Sequence, residues 1–106
     1  MPNGESRNWI RFLITLESFH FLYGNWPSTI NLHPFFIAEL EEKLPKEDFE
    51  KLRDKIVLKP EEENPFMASG EGSNTFDYAR EGIPEGMKFQ NRALAWLNIE
   101  APDYED

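Results

Sequence analysis

Apolar residues at Trp9, Phe12, Leu13, Leu16, Phe19 and Tyr23 follow one another at steps of three and four, the spacing of one helical face. Arg7, Arg11 and Ser18 fall on the other face, so the pattern predicts a helix, with Ser6 as its N-cap and residues 1–5 as an exposed lead-in. A strand competes here, because Ile10, Phe12, Ile14 and Leu16 alternate with Arg11, Thr15 and Glu17, broken at Leu13. The length of the segment favours the helix. Gly24 ends it, being able to take the left-handed conformation at a helix C-terminus.

After the turn residues Asn25-Trp26-Pro27-Ser28, Thr29, Ile30 and Leu32 form a short extended piece. Pro34 suits a first helical turn. The helix it opens points Phe36, Ile37 and Leu40 inward and Glu39, Glu41, Glu42 and Lys43 outward, until Pro45 stops it. A second helix follows with Phe49, Leu52 and Ile56 as its buried stripe, then a short strand at Val57 to Lys59. Phe66 to Ser69 and Thr75 to Ala79 flank Gly70-Glu71-Gly72-Ser73-Asn74 and read as a β-hairpin. Gly82, Pro84 and Gly86 mark an irregular connector, and Phe89 to Ile99 reads as the last helix.

This order predicts an α+β fold: a small, mainly antiparallel sheet of three or four strands, including a hairpin in the C-terminal half, packed against about four helices. The strands are too few and too short for a parallel βαβ architecture. A length of 106 residues points to one domain, with a flexible start at 1–5 and an acidic tail at 100–106. Nine Phe, three Trp and three Tyr furnish a small but real core, since each buried aromatic removes roughly 150–250 Å² from water.

Composition narrows the chemistry. With no cysteine, disulfides, thiolate nucleophiles, iron–sulfur clusters and cysteine zinc sites are ruled out. The chain has no signal-peptide pattern, and Arg11, Glu17 and His20 interrupt its longest apolar stretch. A soluble, cytoplasmic protein without membrane attachment is the expectation. Net charge is −9 from 20 acidic and 11 basic residues, which argues against direct nucleic-acid binding.

Glu17 and His20 make an E-x-x-H, half of the motif pair used by di-iron carboxylate bundles; the other histidine, His33, has Ile30 three positions before it. These three residues are the candidates for a metal-dependent or hydrolytic enzyme, yet no complete catalytic set and no cofactor motif is present. Ser18, Ser28, Ser69 and Ser73 lack a nucleophile-elbow context, and the SGEGSN glycines precede a strand rather than a helix. Glu61-Glu62-Glu63 lacks the spacing of a calcium loop. Carboxylates at Glu39, Glu42, Glu47, Asp48, Glu50 and Asp54 suggest a nucleic-acid mimic that would occupy a basic DNA-binding protein, a field weakened by the interspersed Lys43, Lys46, Lys51, Arg53 and Lys55.

The connectors also carry large side chains: Tyr23 and Trp26 around a turn, and Phe76, Tyr78 and Arg80 after the hairpin loop. Aromatic and Arg side chains on loops are the material of interface hot spots. Small domains also fold loop aromatics back over their helices, which is the expectation for Trp26 and Tyr78 taken singly. The sequence thus favours a small acidic interaction module of the regulatory-subunit, adaptor or immunity-type inhibitor kind. Its interaction surface would include Tyr23, Trp26, Phe76, Tyr78 and Arg80, and its partner would be a protein, for which the negative charge suggests a basic one, with homo-oligomers left open. Both histidines are expected to pack the corner between the first helix and the Trp-Pro turn.

Overall fold

The computed structural model describes residues 4–90 and 92–100. Helix α1 runs Gly4–Tyr23, strand β1 Thr29–Leu32, helix α2 Pro34–Lys43, helix α3 Lys46–Lys55 and strand β2 Val57–Pro60. Strands β3, Met67–Ser69, and β4, Thr75–Asp77, form the hairpin, followed by the short helices α4, Tyr78–Glu81, and α5, Arg92–Leu97. The sheet order is β2-β1-β3-β4, with β1/β3 and β3/β4 antiparallel. The fold is α+β with a mostly antiparallel sheet, as the pattern predicts.

Of the two readings of residues 9 to 23, the helix is the one formed, and it is the centre of the molecule. Every residue from Phe12 to Phe19 is buried. The expected polar face is therefore closed at Ser18, whose hydroxyl is buried without a hydrogen-bond partner. The chain after α4 covers it: Glu17 bonds Gln90 and Arg92, and Phe21 comes within 4.0 Å of the Cβ position of Gly86. The helix starts at Gly4, so Ser6 sits inside it rather than capping it, and Gly4 and Glu5 belong to it rather than to a lead-in. Residues 1–3 and most of the acidic tail, 101–106, lie outside the described residues. Gly24 closes α1 at φ 77°, its N–H donating to His20 O at 2.8 Å.

Strands β1 and β2 are parallel, with Thr29 opposite Val57 and Leu32 opposite Pro60. This departs from the expectation of no parallel unit. Parallel neighbours need a long crossover, and α2 and α3 together supply it. At the other edge, Asp77 ends β4 earlier than its composition suggests: its Oδ1 accepts from Ala79 N at 3.1 Å, and an N-cap carboxylate turns the chain into α4. Ala79 is thus helical.

The last helix is shorter than the predicted Phe89 to Ile99. Its start is set by the Glu17 carboxylate, and its end by Asn98, which takes φ 60° and donates its N–H to Leu94 O at 2.8 Å. Phe66 precedes β3 at φ 63°, an unusual conformation for a bulky residue. It is held there by bonds from its N–H to Asn31 O and from Tyr78 N–H to its carbonyl, with its ring buried against Phe36.

Two apolar clusters result. The larger joins Trp9, Phe12 and Leu16 of α1 to Ile30, Leu32, Phe36, Leu52 and Leu97. The smaller has Phe19, Ala68 and Phe76 as its buried members, with Tyr23 and Tyr78 packed against it.

Candidate functional site

The three residues proposed for catalysis are each engaged in holding the fold. Glu17 is buried, and its two carboxylate oxygens accept from the backbone N–H groups of Gln90 at 2.9 Å and Arg92 at 3.0 Å. A carboxylate in front of a helix start satisfies donors that lack an intrahelical partner. The Arg92 guanidinium, 3.6 Å away, adds a partner for the buried charge. His33 is the N-cap of α2, its Nδ1 accepting from Phe35 N at 3.1 Å. His20 stacks on Trp26 with ring centroids 4.2 Å apart. Among the described residues no group of three or more His, Cys, Asp or Glu is placed to hold a metal ion.

The five residues proposed for an interaction surface separate. Phe76 is fully buried, a correction to its place on that surface. It is the inward member of the alternating triplet Thr75-Phe76-Asp77, and its ring fills the small cluster under the hairpin. Tyr78 is half-buried between both clusters, and Arg80 is exposed on α4. Tyr23 packs on Phe19 at 4.7 Å and its hydroxyl donates to Thr75 O at 2.7 Å.

That bond guards a sheet edge. In the hairpin, Gly70 pairs with Asn74 and Tyr78 with Phe66, so Thr75 and Asp77 turn their backbone groups outward. Tyr23 covers the Thr75 carbonyl and the Glu81 carboxylate accepts the Asp77 N–H at 3.0 Å. On the opposite edge, Val57 and Glu61 donate inward to Ser28 and Leu32. Leu58 and Pro60 face outward, and Pro60 has no N–H to offer. Both edges are thereby blunted against strand addition.

Trp26 lies in a column of rings. Its one face meets His20 and its other meets Trp96, at 4.8 Å and an interplanar angle of 7°. Lys55 Nζ stands 5.7 Å from the Trp96 centroid at the far end. With both faces covered, the indole presents its edge outward. Trp96, placed by the sequence pattern in the last helix, is the partner that fixes it.

Beside that edge two loops meet around a recessed cleft of about 240 Å³. The turn contributes Asn25, Trp26 and Ser28, and the hairpin loop contributes Gly70, Glu71 and Asn74, over a floor made by Phe19. Pairing of β1 with β3 brings the loops together, continued by Ser28 N–H to Ser69 O at 2.9 Å. Gly70 is what allows the loop to close over Phe19, because a Cβ there would stand 2.7 Å from Phe19 Cζ. Among the described residues Glu71 is exposed without an ion pair, and no cationic side chain lines the cleft. A larger trough of about 590 Å³ between α3 and α5 lies open to solvent.

Asn25, Ser28, Glu71 and Asn74 were each legible as turn or loop residues. What the sequence lacks is a signal joining position 25 to position 74. Among the described residues, no helix is long and apolar enough to cross a membrane. Comparison of the chain with family models, with curated proteins and with solved structures finds no match.

Proposed function

We propose that the protein is a protein-interaction module, of the regulatory-subunit, adaptor or inhibitor kind, that recognises its partner through the cleft between the 24–28 turn and the 70–74 loop. The observation that carries this reading is the cleft's construction. Two loops with several polar side chains converge on an aromatic floor and are braced by the sheet and the ring column, the arrangement of a binding site carried on a rigid scaffold. The engagement of Glu17, His20 and His33 in helix ends and stacking supports binding over catalysis. A cysteine-free chain is at home in a reducing cytoplasm, which we take as its setting.

Site-specific photo-crosslinking in source cells tests the proposal. A crosslinking side chain at Asn25 or at Asn74 is expected to give one and the same protein adduct, and none from Glu62 in the solvated loop after β2. Adducts of equal yield from all three positions, or from none, would remove the cleft as a recognition site.

A further inference from the structure

We infer that the cleft receives a guanidinium group, so that the partner presents an arginine side chain to Glu71; this rests on the reading of the cleft as the recognition site. Among the described residues Glu71 is the one charged side chain in the lining, and it has no cation of its own there. Around it the remaining polar groups, the amides of Asn25 and Asn74 and the hydroxyl of Ser28, all carry acceptor oxygens. A chain of net charge −9 also concentrates cations at its surface.

The choice of guanidinium over ammonium follows from the number and spread of acceptors. Both faces of the Trp26 indole are occupied by His20 and Trp96, so neither cation can stack on it, and the cleft offers hydrogen-bond acceptors instead. Where an ammonium brings three donors from a single atom, a guanidinium brings a planar fork of five. Two of them pair with one carboxylate, and the others are left for the neighbouring amide and hydroxyl oxygens. The recess of about 240 Å³ has room for the fork and the methylenes that carry it.

The test is a titration of the full chain with acetyl-arginine amide, followed by amide chemical shifts and by the indole N–H of Trp26. Acetyl-citrulline amide, of the same shape without the charge, and acetyl-lysine amide are the comparisons. Saturable shifts confined to residues 25–28 and 70–74 are expected with the arginine amide. Binding should be weaker by about two- to fivefold with citrulline, since an ion pair at an exposed carboxylate is lost. Lysine amide should bind more weakly than arginine amide, and Glu71→Gln, at an exposed side chain, should abolish the difference between arginine and citrulline. Equal binding of arginine and citrulline amides, or unchanged arginine binding in Glu71→Gln, would overturn the guanidinium assignment while leaving the cleft itself a binding site. No saturable shift with any of the three would overturn the assignment too, and the crosslinking experiment then decides the cleft independently.

Discussion

Helix α1 serves two apolar clusters of unequal depth. Its N-terminal half, through Trp9, Phe12 and Leu16, enters a core closed by β1, α2, α3 and α5, in which Phe12 meets Trp9 at 5.5 Å and Phe36 at 6.0 Å. Its C-terminal half enters a cluster where Phe19, Ala68 and Phe76 are the buried members and Tyr23 and Tyr78 form a half-open rim. The first has neighbours on every side to compensate for any one contact. The second is a single layer between α1 and the hairpin, and the cleft lies on top of it with Phe19 shared between floor and cluster. Elements with few buried apolar contacts open at lower free energy than the rest of a domain. A loop placed there can move without disturbing the main core.

The sharpest way to break that comparison is to remove one ring from each cluster. Phe12→Ala and Phe76→Ala each empty a fully buried site, for a cost of about 3–5 kcal/mol by the usual range for such truncations. They should differ in where the loss appears. Native-state hydrogen exchange is expected to show faster exchange throughout the slowest amides for Phe12→Ala. For Phe76→Ala it should be concentrated in Met67–Ser69 and Thr75–Asp77, with α2 and α3 less affected. Equal losses in α2 and α3 for both variants would make the two clusters one cooperative unit.

The same division explains what was legible from the residues. Elements whose signals are local came through: the stripe of α1, the Pro34 helix start, the Gly24 stop and the hairpin loop. The alternation of Thr75, Phe76 and Asp77 is also a local signal that Phe76 points inward, although it lies close to a loop. Features decided over long distances were hidden. Glu17 is 73 residues from Gln90, whose N–H it accepts, so its role as the anchor of α5 had no local trace, and E-x-x-H suggested a metal instead. The parallel β1/β2 pair was hidden likewise, since four-residue strands carry no mark of their partner's direction.

Gly70 sharpens the comparison at the contact between loop and cluster. Its backbone does not need glycine for a positive φ; the requirement is space, since an added Cβ would stand 2.7 Å from Phe19 Cζ. The ring cannot swing away cheaply because it is buried and packed on Tyr23. Gly70→Ala should therefore cost about 1–3 kcal/mol, the range for overpacking, measured by urea unfolding. In a Phe19→Leu background the added methyl finds space, and the cost of Gly70→Ala should fall to near zero. If it persists there, the glycine is required for the loop backbone and the close approach to Phe19 is incidental.

Tyr23→Phe gives the smallest effect and tests whether the thin cluster relies on packing or on its rim. The substitution keeps the ring that lies 4.7 Å from Phe19 and removes only the hydroxyl that donates to Thr75 O. One exposed neutral hydrogen bond contributes about 0.5–1.5 kcal/mol, and water can replace the lost donor at this edge. The expected outcome is a loss at the low end of that range, with the hairpin's exchange pattern retained and the outward Thr75 carbonyl left open to solvent. A loss as large as that of Phe76→Ala would mean that the hairpin is fastened chiefly by its edge bond. The cluster would then be a consequence of that bond, and the cleft's adjustability would depend on one hydroxyl rather than on shallow packing.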